Sequence, residues 1–409
     1  MPAMRSGSRS SRGADTVKDS VKRDVAARRD QLVALRRHFH QHPELALHEH
    51  ATAAKIAEVL TRAGLEVRTG IGGTGVVGLL RGAQPGKTLL VRADIDALPV
   101  MEQTGAEYAS RVPGNMHACG HDGHAAIALV LADLLMARRE QLCGTVKFVF
   151  QPAEEQVLGA TAMVADGVLR DPVPDAVLGL HLWSSGHVGQ VIVRAGPIFA
   201  SADSLTLRVR GRGGHGAMPH LNVDPVLAAA QIVVAAQSLV SRELSPLAAG
   251  VISFGMIHGG TAGNIVADEV ELGGTVRAYT TADREHLLQR LSELASGVAG
   301  ALRATAELHV GAGTGPCVND PAMTAVVRRA VIAALGEEGI APGEGRQSVS
   351  DDMSVFLDAA PGCYFLVGAG NPARGITAPH HSSRFDIDEN ALAIGLEVLA
   401  RAALEYLAG

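Results

Sequence analysis

A chain of 409 residues is too long for one ordinary hydrophobic core and implies two domains, one inserted in the other. Hydrophobic residues at 47% supply a large core, while aromatics at only 3% and 47 glycines point to small aliphatic packing rather than surfaces that stack bases. A formal net charge of −6 argues against nucleic acid or an anionic membrane as partner.

Residues 1–20, rich in Ser, Arg and Gly with no apolar core segment, read as a disordered tail or an over-long start and not as a secretory signal. The four cysteines, at 119, 143, 317 and 363, form no CxxC pair, so the simpler setting is a reducing cytoplasm. No apolar run reaches ~18 residues, which excludes a conventional spanning helix.

From Val21 to Phe39 the apolar positions recur with helical period until Pro43, and a second helix is expected over 51–63 with Gly64 as its stop. His40, His42, His48 and His50 read as surface or capping histidines, because no paired carboxylate accompanies them. The run KTLLVRADIDALPV is an apolar strand ending in acids, the pattern of a central strand whose C-terminal end opens onto a site. Asp94 and Asp96 there either bind a ligand, orient a neighbouring histidine, or merely form a turn.

Met116 to His124, MHACGHDGH, concentrates metal-ligand chemistry on a loop between strand and helix. If the backbone is extended, Cys119 and His121 project to one face and can meet one ion; the alternative is a histidine-rich loop with an incidental cysteine. CGTVKFVFQ is a further strand, broken by Pro152, that delivers Glu154 and Glu155 into a new helix. Adjacent carboxylates point in different directions, which suits one as ligand and one as general base, although two acids in a first helical turn are also favoured by the helix dipole alone. His181 follows on a strand, where a lone histidine is usually a satisfied core residue.

Around Gly189 the texture changes to strand, helix, two strands, helix, strand, an α+β unit of about 115 residues. The expected division is a first catalytic part over 21–192, an inserted domain over 193–309, and a second catalytic part over 310–409 that ends with His380 and His381 before a final helix. The fold class is therefore α/β, a mostly parallel sheet flanked by helices, plus the α+β insert. No phosphate-binding GxxxxGK[ST] occurs.

Together, RADIDALP, MHACGHDGH, FQPAEE, GLHLW, GGHGAMPH, GTAGN, SDDMS and HSSRFDIDE resemble the aminoacylase and hippurate hydrolase family of metal-dependent N-acyl-amino-acid amidohydrolases, which also includes auxin-conjugate hydrolases. The resemblance covers residues 30–407. It implies a site for two divalent ions, with Cys119, His121, Glu155, His181 and His381 as ligands; His381 is preferred to His380 because the family's ligand stands four before an aromatic, here Phe385. Glu154 matches the general base and Asp96 the carboxylate that orients a ligand histidine. His215 matches a histidine that reaches a partner subunit's site to support the oxyanion, while Asn264 and Arg277 lie near positions used for the substrate's amide and carboxylate. Asp351 departs from a usual glutamate and Ser383 from a usual proline.

The expected protein is a homodimer, or a tetramer of paired dimers, that cleaves a small N-acyl or N-aroyl L-amino acid. The mixed sulfur, nitrogen and oxygen donors leave Zn²⁺, Mn²⁺, Co²⁺ and Ni²⁺ open. A dipeptidase or carboxypeptidase on the same scaffold is the alternative, and a non-catalytic metal-binding protein is a third reading.

Overall fold

The computed structural model describes residues 20–343 and 345–408, so the expectation for the tail over 1–19 lies outside the described residues. The chain divides into two compact units. One holds residues 20–196, 319–343, 345 and 355–408; the other holds Pro197–Val318 and Arg346–Ser354.

In the first unit, strands β1 (Glu66–Ile71), β2 (Gly75–Arg81), β3 (Gln84–Asp94), β4 (Cys143–Gln151), β5 (Ala176–His187) and β6 (Val191–Ile192) join one near the C-terminus, Gly362–Gly370, in a single seven-stranded sheet. The heart of the sheet is parallel: β4 pairs with β3, β3 with β5, and β5 with Gly362–Gly370, while β1, β2 and β6 run antiparallel at the margins. From Thr88 to Asp94 every residue of β3 is buried, which is why its sequence is a continuous apolar run rather than an alternating one.

Helices α1 (residues 20–27), α2 (Arg29–Gln41), α3 (His50–Arg62), α4 (His121–Ala137) and α5 (Gly159–Ala165) belong to this unit, as do two late helices, Pro321–Leu335 and Asn390–Leu407. Helix α4 is buried on nearly all sides against α2, α3 and Asn390–Leu407, which accounts for its Ala/Leu/Val composition without a polar stripe. Parallel order brings the C-terminal ends of β3 and β4 to one edge, where loops can converge on a site.

Two short strands, β7 (Gly196–Phe199), which starts at the last residue of the first unit, and β9 (Gly214–His215), flank β8 (Ala202–Arg210). They are followed by α6 (Pro225–Ser238), β10 (Gly250–Gly259), β11 (Ile265–Val266), β12 (Glu269–Ala278), α7 (Thr281–Ala301), β13 (Thr305–Thr314) and β14 (Cys317–Asn319). An antiparallel sheet in the order β10-β12-β8-β13 results. Along β8, Leu205, Leu207 and Val209 turn inward onto the helices while Arg208 and Arg210 pair with Glu271 and Glu269 on the open face. Asp224 caps α6 and Thr280 caps α7, each accepting from main-chain N–H groups of the first turn.

The expectation of no span-length apolar helix needs correction. Pro225–Glu243, which is α6 with its final turn, is long and apolar enough to cross a membrane by length and composition. Ala228, Ala229, Ile232 and Ala236 bury one of its sides in the core of the second unit.

Candidate metal centre

Cys119 and His121 do meet, but by a different route from an extended backbone. Helix α4 begins at His121, and Gly120 before it takes φ 93°, a left-handed conformation that glycine adopts without a Cβ clash. That turn swings Cys119, on the loop, towards the first helical residue. Cys119, His121 and His181 then offer ligand atoms all within 4.8 Å of one another.

Hydrogen bonding fixes which imidazole nitrogen faces the cluster. The Asp96 carbonyl accepts from Nδ1 of His121 at 2.9 Å, and the Leu182 carbonyl accepts from Nδ1 of His181 at 2.8 Å. A carbonyl only accepts, so each Nδ1 carries a proton, which leaves Nε2 as the nitrogen open to a metal. Nε2 of His121 is buried with no hydrogen-bond partner, and Nε2 of His181 lies 3.5 Å from Cys119 Sγ.

Glu154 and Glu155 stand in a turn between β4 and α5 rather than in the first turn of a helix. The turn is held between Ala153 at φ 50° and Val157 at φ 56°, and positive φ at a β-branched residue is strained. From it Glu154 Oε2 reaches to 3.9 Å and Glu155 Oε1 to 4.0 Å from His121 Nε2. Oε1 of Glu155 is also buried without a hydrogen-bond partner, and His381 Nε2 is 3.3 Å from it. Asp96 ties the two sides together: its Oδ2 accepts the Glu155 N–H at 3.1 Å, and its Oδ1 lies 3.3 Å from His121 Nδ1.

Three triads of potential ligand atoms therefore overlap: Cys119 with His121 and His181, Cys119 with Glu155 and His381, and His121 with Glu154 and Glu155. Burial and then the carboxylates of Glu155, Glu154 and Asp94 push the Cys119 thiol well above its usual range. Burial works against a charged His121, yet Asp94, Asp96 and Glu155 outweigh it and hold that imidazole at about 10. Burial, followed by His124 and His380, keeps His181 neutral, well below its usual value. Two orphaned buried donors in an electronegative cluster that clings to protons are the mark of a cation site, since a divalent ion at these atoms takes the place of those protons. The residues present fit a divalent metal.

A model of the family described as peptidase family M20/M25/M40 matches residues 90–405. The chain belongs to peptidase family M20/M25/M40. It shares 38% identity over 392 residues, 95% of this chain and 98% of the relative, with thermostable carboxypeptidase 1 of Saccharolobus solfataricus. With the N-acetyl-L-cysteine deacetylase of Bacillus subtilis it shares 38% over 362 residues, 88% of this chain and 85% of the relative. A crystal structure from Bacillus subtilis, a dinuclear metal-binding peptidase from the M20 family, superposes with a TM-score of 0.81 at 32% identity, covering 93% of this chain and 99% of the other. The M20 chain is thus a metal-dependent amidohydrolase with an α/β fold built on a mostly parallel central sheet.

Three predicted site residues of this M20 chain lie in the second unit. His215 is exposed on β9, where its Nδ1 accepts the Ala217 N–H at 3.1 Å, and β9 pairs with β11, the strand that follows Asn264. The Asn264 carbonyl accepts the Gly216 N–H at 2.9 Å, and Arg277 on β12 donates Nη1 to the Ser348 carbonyl at 3.0 Å. His42, His48 and His50 are exposed as expected, but His40 is buried between two carboxylates, 2.8 Å from Asp122 and 3.4 Å from Glu102. The sequence reading missed this because both partners are distant in sequence. It counted His124 only as a further nitrogen near the cluster. His124 Nδ1 meets Asp94 Oδ1 at 2.5 Å and its Nε2 accepts the Leu182 N–H at 2.8 Å, so both ring nitrogens are committed to the protein.

Proposed function

We propose that this M20 enzyme hydrolyses the amide bond of N-acyl or N-aroyl L-amino acids, releasing a carboxylic acid and a free amino acid. The observation that carries the reading is Glu154, a carboxylate 8% exposed, whose Oε2 stands 3.9 Å from the orphaned Nε2 of His121. Cys119, His121, Glu155, His181 and His381 would hold two divalent ions, because five donors in overlapping triads exceed what one four-coordinate ion takes. When bound, the ions polarise the acyl carbonyl and make water a nucleophile near neutral pH. Glu154 takes the proton of the attacking water and returns it to the departing nitrogen. Asp96 keeps His121 and Glu155 in register through its carbonyl and its Oδ2.

His215 would act on the oxyanion in the site of a partner subunit, and Asn264 and Arg277 would take the substrate's amide and carboxylate. A homodimer is then the active unit, and the working location is the cytoplasm. On dilution, activity is expected to fall in step with the dimer; a monomer with full turnover rules out His215 acting in trans. Thiolate and imidazole donors favour Zn²⁺, Co²⁺ or Ni²⁺, while the carboxylates admit Mn²⁺. Cys119→Ala is expected to lower metal content and activity together, and unchanged metal stoichiometry in that variant removes Cys119 from the ligand set.

The carboxypeptidase relative at 38% identity favours a second reading, cleavage of a peptide from its C-terminus. Release of amino acid from hippurate, N-acetylmethionine and a dipeptide by metal-loaded protein separates the two. Turnover of the acylated compounds is the expected result; turnover of the dipeptide alone assigns the protein as a peptidase.

A further inference from the structure

His380 stands beside the ligand candidates without being one of them, and its surroundings dictate how it is used. The ring is held by Trp183, Phe385 and His181, with centroids 4.7, 5.1 and 5.2 Å away. The next residue, His381, donates its main-chain N–H to the Ala118 carbonyl at 2.8 Å, which fastens this loop to the one that carries Cys119.

Within that frame, Nε2 of His380 lies 3.1 Å from the main-chain nitrogen of Ser184. A main-chain N–H can only donate, so Nε2 must present its lone pair, and the ring proton of the neutral imidazole sits on Nδ1. Turning the ring over would set a C–H against the Ser184 N–H and forfeit the bond. Nδ1 faces Cys119, with Sγ at 3.9 Å. A donor aimed at that sulfur favours the thiolate over the thiol and fixes the direction of its lone pairs.

We infer that His380 is a positioning residue that holds Cys119 through an Nδ1–H directed at its sulfur and so sets the strength and character of its bond to metal. This rests on the reading of Cys119 as a ligand. Its two nitrogens are committed, one to Ser184 and one to Cys119, which leaves the ligand role in HHSSRFD to His381.

The test is the Co²⁺-reconstituted protein, read by its near-ultraviolet thiolate-to-cobalt charge-transfer absorption and by Co²⁺ affinity in chelator competition. Cys119→Ser serves as the control that assigns the absorption to this sulfur. His380→Phe keeps the aromatic packing but removes the donor; the absorption is expected to shift and the affinity to fall about 10–100-fold, the usual loss when a residue behind a metal ligand is removed. His380→Asn, whose amide N–H can occupy the place of Nδ1–H, is expected to recover part of both. A purely structural role predicts instead that Phe serves as well as His, so an unshifted band and unchanged affinity in His380→Phe overturn the inference while leaving the ligand intact. Absence of the band from the unaltered protein overturns the ligand assignment itself.

Discussion

Glu154→Gln is expected to lower kcat by ~10²–10⁴-fold, the usual contribution of a positioned general base, while leaving metal content at the level of the unaltered protein. Glutamine keeps the volume and one carbonyl oxygen but cannot take a proton from water. Glu155→Gln is the companion. Its Oε1 is the orphaned atom beside His381, so that variant is expected to lose metal first, with activity partly restored by excess ion. The two carboxylates are adjacent in sequence and lie at 3.9 and 4.0 Å from the same nitrogen, so distance to His121 does not separate them; metal stoichiometry does. Loss of metal in Glu154→Gln would exchange the two roles, and retention of more than about a tenth of the activity would remove Glu154 from proton transfer, because a base worth one decade or less contributes under ~1.4 kcal/mol.

Elements were legible in the sequence wherever period and chemistry agreed. The buried run from Thr88 to Asp94 announced a parallel strand, and Gly64 at φ 90° ended α3 where a glycine stop was expected. The cluster was legible as a set of residue types. Its geometry was not, because the convergence of Cys119 on His121 depends on the backbone sign of Gly120, and a glycine is silent about which conformation it adopts. The turn carrying Glu154 and Glu155 was likewise hidden: nothing in Ala153 or Val157 signals positive φ, and Val157 in particular argues against it.

Contacts between sequence-distant polar groups were the other blind spot. His124 was one of several histidines in a polar loop until β3 brought Asp94 against it. His40 looked like a surface residue in a helix rich in His and Arg, whereas α4 places Asp122 on it from 82 positions away. Periodicity reports which face of a helix is apolar; it does not report which buried charge will find a partner.

Arg36 is the largest consequence of that second kind. Arg36→Met is expected to destabilise the first unit by ~3–5 kcal/mol, the cost of breaking a buried ion pair and leaving its partner uncompensated. The guanidinium is wholly buried, with Nε 2.9 Å from Asp122, Nη2 2.9 Å from Asp386 and Nη1 3.3 Å from Glu389. Asp386 and Glu389 are partly exposed and recover water when the cation is gone; Asp122 is not and does not. Burial works to raise the Asp122 carboxyl, but Arg36 and then His40 hold it far below the usual carboxylate range. A carboxylate depressed in the folded state contributes stability that is present above its unfolded value, about 3.9, and lost as pH falls below it. The deficit of the variant is therefore expected to be large at pH 7 and to narrow towards pH 4, where Asp122 can take up a proton instead of remaining an unpaired charge. Denaturant midpoints across that range check it, and a variant within about 1 kcal/mol of the parent at neutral pH would show that His40, 2.8 Å from the same carboxylate oxygen, suffices alone. Asp122 follows His121 directly, while Asp386 and Glu389 follow His381 on the loop into the last helix, so one side chain braces both segments that carry cluster histidines. Metal retention after dialysis should accordingly fall in Arg36→Met under conditions where the protein is still folded, and Arg36→Lys, which restores the charge but not the three-way fork, should lie between the two.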